Sequence, residues 1–135
     1  MFNLYFRNTH VSLYYDKELR LGKAVWRGHV QGAEFREATL LCLDLVDRHE
    51  LRGWLGDNRK MNSIDPADLQ WSLEVFVPQA VASPLLRIAN LPSESEKNRE
   101  AVAMMLKKKD QLDAQQLLVR DFGSEEEAMA WLMEL

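Results

Sequence analysis

Arg52-Gly53-Trp54-Leu55-Gly56-Asp57, running into Asn58-Arg59-Lys60, is the stretch on which the fold turns. It is short, apolar and punctuated by glycine, and so reads as a buried strand that ends on a charged turn. What flanks it gives it a direction. Upstream, Phe35, Ala38, Cys42, Leu45 and Val46 recur at three- and four-residue steps between Gly32 and His49, the buried stripe of an amphipathic helix. Leu40 and Leu43 fall off that stripe. Downstream, Asp65 is placed to cap a second helix, Pro66 suits its first position and Asp68 favours its positive end. Leu69, Leu73, Phe76 and Val77 form its expected inner face, and Pro78, which lacks a backbone donor, is expected to stop or kink it. A strand held between two helices belongs to a parallel sheet.

Working outward, Leu85 to Ala89 reads as the next strand. Ser93 with Glu96 makes a capping-box pattern ahead of Ala101, Val102, Met105 and Leu106, on a helix running into Lys107-Lys108-Lys109, which reads as its solvated end. Gln116 to Phe122 is a last strand. Gly123-Ser124 with Glu127 opens a last helix that buries Ala128, Trp131, Leu132 and Leu135. Toward the amino end, Val11 to Tyr15 and Leu21 to Trp26 flank the polar Asp16-Lys17-Glu18 and read as a hairpin. The predicted order is ββαβαβαβα: an α/β domain over residues 11–135, with a mixed, largely parallel sheet and an antiparallel edge hairpin. In residues 1–10, Phe2, Leu4 and Phe6 alternate with polar neighbours, the pattern of an extra strand or of an arm that pairs with another copy, with a frayed terminus as the equal alternative.

Composition narrows the classes of function. With 135 residues and 47% hydrophobic content the chain can bury a core without disulfides or metals. Its formal charge of -4, from 21 acids and 17 bases spread along the chain, gives no field to draw in nucleic acid. The longest near-apolar run, Val75 to Leu86, is interrupted by two prolines and falls short of the ~20 residues that cross a bilayer. A lone Cys42 and an amino terminus without a secretory pattern fit a cytoplasmic protein.

Trp26-Arg27-Gly28, Leu55-Gly56-Asp57-Asn58-Arg59, Asp65-Pro66-Ala67-Asp68-Leu69-Gln70-Trp71 and the ending Asp121-Phe122-Gly123-Ser124-Glu125-Glu126-Glu127-Ala128-Met129-Ala130-Trp131-Leu132, taken in this order, resemble the STAS-like superfamily. The resemblance is to an uncharacterised bacterial branch related to the sporulation anti-sigma factor antagonist. It implies a STAS-like fold and a regulatory domain that binds a kinase partner and is switched by phosphorylation of a serine at a helix amino terminus. That serine is missing, since Pro66 and Ala67 follow Asp65 where the regulatory proteins carry it. Ser63 and Ser72 are poor substitutes: a phosphate on Ser63 would face Asp65 and Asp68. A likeness of some related proteins to lipid-binding Sec14 domains brings in an apolar ligand by analogy.

Strand carboxyl ends collect ligands in parallel sheets, which makes Asp57, Asn58, Arg59, Asp65 and Trp71 the candidate ligand or partner site. A purely structural reading competes: Asp57 and Arg59 pair to fix a loop, and Asp65 only caps. His10, His29 and His49 lack metal-ligand spacing, no nucleophile elbow or phosphate loop occurs, and no cofactor or catalytic residue is assigned. Trp26, Trp54 and Trp131 read as core, whereas Trp71 lies off its helix stripe. Three functions follow in order: a non-enzymatic regulatory or scaffolding domain binding another protein or itself, with Leu40 and Leu43 as interface candidates; a binding module for an apolar or lipid-like small molecule, under the segment Leu69 to Ser83; and an enzyme using Asp57 or Asp65 as a general base near Arg59, which needs a raised carboxylate pKa.

Overall fold

A computed structural model describes residues 1–112 and 116–135. Its strands are β1 (Asn3–Arg7), β2 (Val11–Asp16), β3 (Leu21–Gly28), β4 (Gly53–Met61), β5 (Arg87–Leu91) and β6 (Leu118–Asp121). They form one sheet in the order β1-β2-β3-β4-β5-β6. The pairs β1–β2 and β2–β3 are antiparallel and the other three are parallel. The hairpin is thus present, but β1 rather than β2 is the edge, so the first residues add a strand to this sheet.

The helices are α1 (Gly32–His49), α2 (Pro66–Trp71), α3 (Val77–Ala82), α4 (Glu96–Leu112) and α5 (Glu125–Leu132). Each parallel crossover steps one place in the same direction along the sheet. Right-handed crossovers that never reverse put their helices on one face. Accordingly α1, α2, α3 and α4 share one side, while α5 packs on the other, against β4 and β5. The larger core lies on the helix-rich side and includes Leu13, Leu45, Leu51 and Trp54; the smaller holds Leu21, Leu55, Leu91 and Leu132. Full burial of each such leucine is worth about 1.5–3 kcal/mol. Gly22 on β3 faces Trp54 on β4 in register, and a Cβ at Gly22 would overlap the indole, so only glycine fits there.

Four local expectations need correction. β4 does not end at Asp57: Asn58-Arg59-Lys60 continue as strand to Met61, because a bulge against Val25 and Arg27 takes up one extra residue. Of the two outcomes expected at Pro78, a stop or a kink, the stop does not occur. A π-turn over Ser72–Phe76, with Val77 N–H bonded to the Ser72 carbonyl, places Pro78 in the first turn of α3, where no donor is needed. The cap of α4 is Ser95, whose hydroxyl accepts from Asn98 N–H at 3.2 Å, while Ser93 donates to the Met61 carbonyl. Lys109 is not solvated. It is 8% exposed, and its Nζ donates to the Leu117 carbonyl at 2.7 Å and pairs with Asp110 at 2.8 Å.

The buried side of the helical run from Pro66 also differs from the expected apolar stripe. Asp68 and Ser72 are its buried residues before Val77 and Ala80. Asp68 is buried because it serves two helices: Oδ2 accepts from Gly32 N–H at 2.9 Å, capping α1, whose own cap residue Gln31 makes no side-chain bond. Its Oδ1 accepts from Arg36 Nε at 3.3 Å. Ser124 does cap α5, accepting from Glu127 N–H at 3.2 Å, and Ala128, Trp131 and Leu132 are buried as expected; Leu135 is exposed. No helix among the described residues is long and apolar enough to cross a membrane.

Candidate functional site

The strand geometry separates the residues expected to gather. Side chains alternate along a strand, so Asp57 and Arg59 point to the α5 side while Asn58 points to the helix-rich side. Asp57 accepts from Arg59 Nε at 3.0 Å, Arg59 Nη2 at 2.9 Å and Arg59 N–H at 3.2 Å. Burial pushes the Asp57 carboxyl upward, but the bonds from Arg59, with added attraction from Arg59 and Lys23, outweigh it and hold the pKa below the ordinary value. A general base near neutrality needs the opposite shift. Asp65 stands at the amino end of α2 but caps nothing; its Oδ1 lies 2.7 Å from His29 Nε2. Trp71 is half-buried, edge-on to Phe35 with ring centroids 6.2 Å apart, and packs against the larger core. These five residues do not make one site.

The interface candidates also divide. Leu40 is 43% exposed on α1, but Leu43 is only 6% exposed. Helix α1 meets α2 near its start and the cavity wall further along, which widens its buried face to take in Thr39 and Leu43.

Between that widened face, the helical run Pro66–Ala82, α4 and the sheet lies a cavity of about 170 Å³. Trp26, Phe35, Trp54, Phe76 and Val77 make most of it apolar, and Cys42 contributes its sulfur side. Burial pushes the Cys42 thiol up to about 12, so it lines the cavity as a small hydrophobe. Three polar side chains at the wall are already engaged: Thr39 donates to the Phe35 carbonyl at 2.9 Å, Ser72 to the Asp68 carbonyl at 2.8 Å, and Lys109 to Leu117. Two are not. The carboxamides of Asn58 on β4 and Asn90 on β5 line the cavity and form no hydrogen bond with the described residues. Gly56, between them, leaves room for the Asn90 amide: a Cβ there would lie 3.2 Å from Asn90 Oδ1. The result is an apolar chamber with two unsatisfied amides on one wall, able to orient a mostly apolar molecule of matching size.

Asn90 lies just past the strand expected over Leu85 to Ala89; the structure carries that strand on to Leu91 and so brings the amide into the sheet. Its convergence with Asn58 depends on β4 and β5 being neighbours. Among the described residues no group of three His, Cys, Asp or Glu side chains is placed to hold a metal ion.

No protein-family model matches the chain, and no curated protein matches it. Among solved structures it is similar to an uncharacterised protein of the DUF3478 family with a SpoIIAA-like fold, from Shewanella loihica PV-4. The TM-score is 0.53 and the identity 13%, covering 98% of this chain and 92% of that one. The fold is therefore SpoIIAA-like, in agreement with the order of motifs read from the sequence.

Proposed function

We propose that this chain is a binding domain for a small apolar molecule that carries one hydrogen-bonding group. The observation behind the reading is the cavity with its two free amides. Its volume sets the ligand class: an apolar cavity of about 150 Å³ takes benzene or xenon, so 170 Å³ suits a single aromatic ring or a short branched chain rather than a two-chain lipid. Asn58 and Asn90 would each offer a donor and an acceptor to a hydroxyl or carbonyl on that ligand. A cytoplasmic setting fits the free Cys42 thiol in the cavity wall.

Titration with indole, benzyl alcohol and benzene tests the reading, with fluorescence of Trp26 and Trp54 and the melting temperature as signals. Saturable binding is expected, with Asn90→Leu losing the preference for benzyl alcohol over benzene. If none of the three probes raises the melting temperature, and the protein leaves its native host ligand-free by native mass spectrometry, the reading fails.

A second reading is a non-enzymatic regulatory or scaffolding domain that binds another protein. Exposed Leu40 on α1 favours it, as does the SpoIIAA-like fold. Affinity purification with the wild type and Leu40→Asp decides it: unchanged partners in the variant would remove its support.

A further inference from the structure

On the second face of the sheet, α5 covers β4, β5 and the Leu21 end of β3. Toward the ends of β1, β2 and β3 that carry Arg7, Ser12 and Arg27, no helix among the described residues packs on this face, and cations collect there. Arg7 on β1 is the register partner of Ser12 on β2. Arg7 Nε donates to Ser12 Oγ at 3.3 Å, and Arg7 Nη2 donates to the Tyr14 hydroxyl at 3.0 Å. From the other side, Arg27 on β3 donates through Nη2 to the same Ser12 oxygen at 3.1 Å and to the Asn8 carbonyl at 3.1 Å. One neutral hydroxyl, on a residue only 2% exposed, is thus clasped by two guanidinium groups.

Neither arginine forms an ion pair with the described residues. The acids on this face are already engaged, Asp57 by Arg59, Glu125 by Lys23 at 3.0 Å and Asp16 by the amino terminus. Two positive charges that reach one oxygen lie well inside the ~8 Å Debye length at physiological ionic strength, so they repel with little screening. In a chain of net charge -4, two unpaired guanidiniums aimed at one point stand out from the general surface. Arg7 Nη1 and Arg27 Nε and Nη1 donate to nothing among the described residues, which leaves each guanidinium with single charged N–H donors for an anion.

We propose that Arg7 and Arg27, with the Ser12 and Tyr14 hydroxyls between them, form a binding site for a phosphomonoester on the open face of the sheet. A dianion there neutralises both guanidiniums and meets the Tyr14 hydroxyl, while the buried Ser12 oxygen holds the two arginines together beneath it. The site is separate from the cavity, which opens on the opposite side of the sheet, and stands or falls independently of it.

Thermal shift and calorimetric titration with inorganic phosphate and glycerol 1-phosphate, against chloride at matched ionic strength, test the site. Cosedimentation with vesicles of phosphatidic acid or of phosphatidylcholine alone identifies the source of the phosphate. Saturable stabilisation by phosphate is expected, weakened at least tenfold in Arg7→Gln, an exposed edge position that leaves the core intact. Arg27→Gln is expected to act likewise, and Arg48→Gln on α1 to bind as the wild type does. Tighter binding of glycerol 1-phosphate supports a soluble ligand, and sedimentation with phosphatidic acid alone supports a lipid headgroup. Equal responses to phosphate and chloride, or unchanged affinity in both Arg7→Gln and Arg27→Gln, would overturn the proposal.

Discussion

Gly56 on β4 stands opposite Asn90 on β5 in parallel register, and the missing side chain of the one makes room for the carboxamide of the other. Adding a methyl group at Gly56 forces the Asn90 amide to move by a few tenths of an ångström. Gly56→Ala is expected to change stability by about 1 kcal/mol or less, since the amide can turn into the cavity. It should weaken benzyl alcohol about tenfold, the equivalent of one hydrogen bond, and leave benzene nearly unaffected. Paired urea denaturation and ligand titration check both halves.

Asp57 contributes stability through its ionised form, because Arg59 holds its pKa below the unfolded value of about 3.9. The sign follows from proton binding: below that value the unfolded chain takes up protons more readily than the folded one. The contribution is therefore present above about pH 4 and lost as pH falls through the lower folded value. Asp57→Asn should cost about 1 kcal/mol at pH 7, modest because Arg59 is exposed. The urea midpoints of wild type and variant should converge in acid.

Cys42 behaves in the opposite sense. Its thiol is pushed up to about 12 by burial, against about 8.5 in an unfolded chain. The stability this confers is complete below about pH 8.5 and is lost as pH rises toward 12. Cys42→Ala should flatten that part of the alkaline stability profile. Native protein at pH 8 should react with iodoacetamide far more slowly than protein in urea.

Leu40 and Leu43 separate surface from core on one helix. Leu43→Asp places a charge in the cavity wall and should destabilise by about 3–5 kcal/mol, enough to prevent folding of a marginal domain. Leu40→Asp should stay within about 0.5 kcal/mol of the wild type. Circular dichroism melts of the two variants give the comparison.

Much of this architecture is written in local patterns. The strand beginning at Gly53, the Asp65-Pro66 helix start, the Ser124 cap and the α1 stripe each depend on a few adjacent residues, and each is present. Where the reading departs from the structure, the deciding partner is distant in sequence. Asn58-Arg59-Lys60 look like a turn until β3 pairs with them, and then strand alternation splits Asn58 from Asp57 and Arg59. Leu43 looks like surface until the helical run Pro66–Ala82 and α4 close a cavity beside it. Asp68 looks like a charge for its own helix dipole, yet it caps a helix that begins 36 residues earlier in the chain. The candidate site suffered most, because a cavity is defined by elements that meet only after folding.

The strictly sequential strand order has a consequence for how the molecule is made. Each new parallel strand joins an edge that is already in place, and no later segment has to be inserted between two earlier ones. Such a sheet can grow vectorially as the polypeptide emerges during synthesis, with its amino-terminal meander as the template. Only α5 returns across ground already laid. Until it docks, the strip formed by Leu21, Leu55, Ala89 and Leu91 has no cover, so the nascent chain carries a sticky back that this one helix seals.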